Sequence, residues 1–177
     1  MDRATRKNSP RMTACVAVLL AAALLLGGCD ATQTAPSSTS SEAQIVARVE
    51  EGLRGLSTAD EEITLTPLEG VESSTYAFRL NGRLSGTLLV FADGSFGVFS
   101  GADATDAAIY TFARGMVCLV YAVLAGQDMN LLDAAEAVGE WFIEPSLQTY
   151  SMVGKQVGGY EFAYGCTDEA GWFLMVR

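Results

Sequence analysis

The sequence predicts an α+β fold in a single domain, an antiparallel meander sheet with an N-terminal helix and a central helical hairpin. Three observations carry this expectation. Apolar residues recur every three or four positions in three separate stretches, and they alternate with polar residues in the stretches between. Two dipeptides that favour tight turns, Asn81-Gly82 and Asp93-Gly94, each sit between alternating runs.

Taken in chain order, Ser41-Glu42-Ala43-Gln44 matches a capping box, with the serine oxygen accepting from a first-turn amide and the glutamine reaching back. The helix it opens carries Ile45, Val49, Leu53 and Leu56 on one stripe and turns Arg48, Glu50, Glu51 and Arg54 to water. Gly52 and Gly55 weaken its end, and Ser57 to Glu62 reads as loop. From Ile63 the period becomes two, through Ile63-Thr64-Leu65-Thr66 and then Ser74, Tyr76, Phe78 and Leu80 on one face. The turn dipeptides, both expected to supply positive φ angles, chain residues 73–80, 83–91 and 95–100 into the meander.

Residues 103–125 form the most apolar stretch after the N-terminal leader, with Ile109, Phe112, Met116, Val120 and Val123 on one helical face and Asp103 and Asp106 capping its start. A membrane span competes with a core helix here. Arg114 lies mid-segment, where insertion costs about 2.5–3.5 kcal/mol, so the buried core helix is expected. Gly126 ends it, Asn130 caps the next helix, and residues 131–142 complete the hairpin before Glu144-Pro145. Strands over 147–153, 157–166 and 171–177 close the chain, separated by Gly154 and by Thr167-Asp168-Glu169, with Tyr160, Phe162, Tyr164 and Cys166 on one face.

The first residues have a different character. Arg3, Arg6, Lys7 and Arg11 precede an apolar run from Cys15 to Leu26, too short to span a bilayer comfortably, which closes on Leu26-Gly27-Gly28-Cys29. This closure resembles the lipobox of bacterial lipoproteins. The resemblance covers the leader alone, and it implies cleavage before Cys29 and acylation of that thiol, palmitate included. The competing reading is an uncleaved signal anchor. The resemblance further implies a lipid-anchored protein on the outer face of the cell membrane. Asp30 is similar to the residue that retains lipoproteins at the inner membrane of two-membrane envelopes. Two acyl chains, at about 0.8 kcal/mol per buried methylene, suffice for stable anchoring. The expected organisation is a signal peptide over 1–28, a lipidated flexible tether over 29–40, rich in Ser, Thr and Ala, and a globular domain over 41–177.

Cleavage after residue 28 removes four of the 11 basic and one of the 21 acidic residues, leaving 149 residues of formal charge −13. So acidic a chain repels nucleic acid and anionic headgroups, so no nucleic-acid partner is expected and the anchor must be the lipid. The expected partners are the membrane, through the anchor, and a protein or small-molecule ligand of undefined identity. Of the four cysteines, Cys15 leaves with the leader and Cys29 carries the acyl group. Cys118 and Cys166 remain, either as a disulfide or as two buried thiols. Closing that 48-residue separation would remove about 4 kcal/mol of unfolded-chain entropy.

The chain has no histidine, which removes the usual base of Ser-His and Cys-His catalysis and every histidine-based zinc site. Two thiols are too few for a cysteine-rich metal site, and no phosphate-binding glycine loop is present, so no metal or cofactor is expected. Glu136, Glu140 and Glu144 fall four residues apart beside Trp141, which supplies material for glycoside hydrolysis but equally for a solvated helix face. Asp60-Glu61-Glu62 and the pair Asp103 and Asp106 lack the alternating ligands of a calcium loop.

Arg114, Cys118 and Tyr121 share a helical stripe expected to face the Cys166 strand. Arg114 and Tyr121 would there bind a small anion; the plainer alternative pairs Arg114 with Glu161 or a strand carbonyl. The expected function is a non-catalytic binding or interaction module. Its contact surface would be the sheet face or an exposed Trp141 or Trp172, although both tryptophans suit a core equally. The alternative is a small carboxylate-based hydrolase acting on cell-surface sugars.

Overall fold

The computed structural model describes residues 42–69, 74–101, 105–143 and 152–177. Internal contacts divide the chain into units of 1–34 and 35–177, and every described residue belongs to the second. The leader, Cys29, the tether, Asp103, Glu144-Pro145 and residues 147–151 of the expected strand therefore lie outside the described residues.

The architecture is α+β, as the periodicities predict. Helix α1 (Glu42–Leu56) leads into strands β1 (Ile63–Pro67), β2 (Ser74–Leu80), β3 (Arg83–Val90) and β4 (Phe96–Phe99). Helices α2 (Asp106–Leu124) and α3 (Leu131–Val138) follow, and β5 (Val153–Val157), β6 (Tyr160–Thr167) and β7 (Gly171–Val176) close the chain. All seven strands join one antiparallel sheet in the order β1-β2-β3-β4-β7-β6-β5. The two halves meet where β4 pairs with β7, through partners Phe96↔Val176 to Phe99↔Phe173.

Local chemistry explains most boundaries, and some differ from expectation. Asn81 and Gly82 both take positive φ, 49° and 78°, as the β2–β3 hairpin requires. At the next turn only Gly94 does so, because the turn is longer: the Gly94 amide donates to Phe91 O and the Phe91 amide to Ser95 O. Asp93 instead caps the turn, accepting from the Ser95 amide and hydroxyl, and the Ser95 hydrogen bond holds its carboxyl below the usual range.

Helix α2 begins at Asp106, capped by Thr105 rather than by an aspartate, since the Thr105 hydroxyl accepts from the Ala108 amide. It ends at Leu124 in a 3-10 turn, and the left-handed residue that reverses the chain is Asp128 (φ 57°), not Gly126. Asn130 does cap α3, in a reciprocal box with Asp133. Helix α3 then widens into a π turn over Gly139–Ile143. The break expected at Gly154 is absent. Strand β5 runs through it, and the reversal falls at Gly158-Gly159, which both take positive φ.

The core lies between the helices and one face of the sheet. Leu65, Phe78, Leu88, Val98, Leu174, Tyr164 and Phe162 present that face, and Ile45, Val49 and Leu53 of α1 and Phe112, Met116, Leu119 and Val123 of α2 pack in the same cluster. Trp141 and Trp172 are partly buried against it. On the opposite face Ala77, Leu89, Phe99, Ala163, Phe173 and Met175 form a second buried apolar set, with the Phe99 and Phe173 rings stacked at 6.3 Å.

The segment Asp106–Gln127 is long and apolar enough to cross a membrane, with mean hydropathy 1.7 over its most apolar 18 residues, yet 67% of those residues are buried within the domain. Its seat against the sheet depends on Gly115, where a Cβ would lie 3.0 Å from Val98 Cγ1 and 3.1 Å from Phe78 Cζ. A Gly115→Val variant is therefore expected to lose about 1–3 kcal/mol through overpacking. Urea unfolding measures this, and an unchanged midpoint would mean that α2 does not rest on β2 and β4 as described.

Candidate functional site

The polar stripe of α2 forms one continuous side, as its spacing predicts, but that side faces α1 and the α1–β1 loop rather than the Cys166 strand. The sheet-facing residue is Phe112, whose ring stacks on Tyr164 of β6 at 6.4 Å. Cys118 follows six residues later, about 240° further round the helix, and so points elsewhere. Its sulfur lies against Gly52 of α1, where a Cβ would sit 3.0 Å away.

In the structure Cys118 is a buried free thiol and Cys166 an exposed one at the end of β6. Burial pushes the Cys118 thiol up to about 12, against a small opposing pull from Arg114. Burial and Asp168 raise Cys166 as well.

Arg114 sits at the top of this stripe. Its Nη1 lies 3.0 Å from Glu61 Oε2, a close charge contact without the alignment of a hydrogen bond. Its guanidinium lies over the Tyr110 ring, 4.1 Å from the centroid, and Nη2 contacts the Tyr110 hydroxyl. Glu61 Oε2 also accepts from Tyr110 Oη at 3.1 Å and from Thr58 Oγ1 at 3.2 Å. The partner of Arg114 is thus Glu61 rather than Glu161, which pairs instead with Arg177 at 2.7 Å.

Lower on the same side, burial and Glu51 raise the Tyr121 phenol above its ordinary value. Arg48, expected to face water, donates to the Ala122 carbonyl at 3.2 Å. Arg114 and Tyr121 each meet a carboxylate here. The arrangement joins α1 to α2, with the Arg114 guanidinium already facing Glu61.

Glu61 also belongs to a neighbouring concavity of about 420 Å³ between the second half of α1 and strand β1. Leu53, Ile63 and Leu65 line its floor, and Glu50, Arg54, Ser57, Glu61, Glu62 and Thr64 its rim. Sequence reading missed this groove. The alternation over residues 63–66 marks a strand, but nothing in it states that β1 is the edge of the sheet.

The other candidates stand apart. Glu136 and Glu140 are exposed and Glu144 lies outside the described residues, so no opposed pair of acids is formed among those described. Trp141 packs edge-on to Phe142 at 6.1 Å, with Lys155 Nζ 5.7 Å from its ring, and Trp172 stacks on Tyr164 at 5.6 Å. Among the described residues no cluster of three His, Cys, Asp or Glu could hold a metal ion.

No protein-family profile, no curated protein and no solved structure matches this chain.

Three outcomes follow from this geometry. Arg114→Met is expected to cost about 1–3 kcal/mol in urea unfolding, because Glu61 loses its cation while partly buried. A cost near zero would show the pair to be ornamental. The Cys118 thiol stays protonated in the folded chain well above its ordinary value of 9.0, whereas the unfolded chain releases that proton from 9.0 upward. Stability from this group is complete below pH 9 and falls as pH rises towards 12, by about 4 kcal/mol in all at about 1.4 kcal/mol per unit. Unfolding of Cys118→Ala should lack that part of the alkaline slope. Alkylation mapping should label Cys166 in the native chain and Cys118 only after unfolding, and a Cys118–Cys166 crosslinked peptide would contradict both expectations.

Proposed function

We propose that the chain is a lipid-anchored, extracytoplasmic module that binds a partner at the membrane surface and performs no catalysis itself. The observation that carries this reading is the closure of the leader on Leu26-Gly27-Gly28-Cys29 after a basic start and an apolar run. Acylation of Cys29 would hold the domain through two hydrocarbon chains, with residues 30–40 as the spacer. The acidity of the chain supports the same division of labour, since a surface of this charge is repelled by anionic headgroups and leaves attachment to the lipid.

Binding rather than catalysis is favoured by residue chemistry. With no histidine, proton transfer near neutral pH would fall to carboxylates of raised pKa or to a thiol. Burial pushes the Cys118 thiol to about 12, where it is protonated and inert at neutral pH. The described carboxylates of the α1–α2 side serve as partners of Arg114 and Tyr121.

Metabolic labelling with palmitate tests the anchor. The wild-type chain is expected to take up label and enter the detergent phase, and Cys29→Ser to lose at least about nine-tenths of both. A chain that keeps Met1, takes no label and partitions into water would overturn the reading.

A further inference from the structure

Strand β1 is one edge of the sheet, paired with β2 and, among the described residues, with no other strand. Which of its backbone groups are used by β2 follows from the two ends of the ladder. The Asn81 amide donates to Glu62 O at 2.8 Å, and the Leu68 amide to Thr75 O at 2.8 Å. Both bonds belong to the register that pairs Thr64 with Arg79 and Thr66 with Ala77. In an antiparallel pair the bonded positions alternate, so Glu62, Thr64, Thr66 and Leu68 turn their backbone groups towards β2. Ile63 and Leu65 therefore turn their N–H and C=O outward, and Pro67 turns out only a carbonyl. Among the described residues these four outward groups on two residues meet no strand, and so form a template for another.

That edge is also one wall of the concavity beside α1. Ile63 and Leu65 lie in its floor with Leu53, and the carboxylates of Glu50 and Glu62 stand on its rim. Glu61 is already committed to Arg114 and Tyr110, which leaves two uncommitted acids against the single Arg54. We propose that the groove between α1 and β1 binds an extended, basic peptide segment as an added eighth strand along Ile63–Thr66. This deepens the reading of the chain as a binding module and rests on it.

Main-chain bonds from the segment to Ile63 and Leu65 supply affinity, and side chains beneath α1 supply selection. The acidic rim favours Lys or Arg in the segment, and the strong negative charge of the domain draws such a partner in. Pro67, with no amide to offer, ends the template on one side.

The probe is the peptide acetyl-Lys-Thr-Val-Thr-Val-Lys-amide, applied to the full chain in nanodiscs and, in parallel, to its Cys29→Ser form. Binding should slow amide exchange at Ile63 and Leu65 by at least about tenfold and leave Thr64 and Thr66, already bonded to β2, unchanged. N-methylation of alternate peptide amides, or glutamate in place of the two lysines, should each weaken binding by at least about tenfold, and Glu50→Gln with Glu62→Gln by about fivefold. Binding indifferent to N-methylation, or unchanged exchange at Ile63 and Leu65, would overturn the proposal. So would protection of those amides that rises with protein concentration alone alongside a sedimenting dimer, since the occupant would then be a second copy. Failure of the peptide on a chain that incorporates palmitate refutes the groove and leaves the anchor; peptide binding on a chain that takes no palmitate does the reverse.

Discussion

The close approach of α2 to the sheet at Gly115 is the contact on which the remaining arrangement rests. Any side chain there would meet Val98 and Phe78, and with hydrogen alone the helix lies flat across β2, β3 and β4. Phe112, Met116, Leu119 and Val123 then join the sheet face in one cluster, each fully buried side chain of that size contributing about 1.5–3 kcal/mol. Gly52 repeats the device on the other side of α2, admitting Cys118 and letting α1 close over it. The polar residues of α2 are left with one direction to face. Arg114 reaches Glu61 and Tyr121 reaches Glu51 because α1 and its loop are what lies there.

This geometry explains why a helix of span-like hydropathy belongs to a folded domain. An isolated Arg114 in lipid would lack a partner, whereas here Glu61 and the Tyr110 ring receive it. The same packing places the α1–β1 loop, and with Glu61 it positions the rim of the groove beside the sheet edge. Anchor and groove are separate in chemistry. One, as proposed, would be an acyl group on Cys29; the other is a strand edge beside a helix.

Much of the fold was legible because its signals are local. The stripe of Ile45, Val49 and Leu53, the Asn81-Gly82 turn and the Asn130 cap each report a backbone state through neighbouring residues, and each element is found where they place it. The misreadings arose where a local signal had two outcomes. Gly154 sits within a strand while Gly158-Gly159 makes the turn, and Asp93 caps a turn in which only Gly94 is left-handed. The site was less legible for a different reason. Spacing alone showed that Arg114, Cys118 and Tyr121 share a side, but which element lies opposite is decided by α1 folding back over α2, a contact between residues some sixty apart. The edge position of β1 depends likewise on the whole strand order, and the pairing of β4 with β7 that completes it leaves no mark in either strand.

If, as we propose, lipid on Cys29 alone holds the domain to the membrane, α2 is a core helix and not a span. Limited proteolysis of intact membranes within residues 30–40, followed by hydrogen exchange on whatever is released, tests it most directly. The account predicts a fragment that enters the aqueous phase folded, with the α2 amides from Met116 to Val123 the slowest to exchange. A fragment that stays with the bilayer after the cut, its α2 amides protected only while lipid is present, would contradict it.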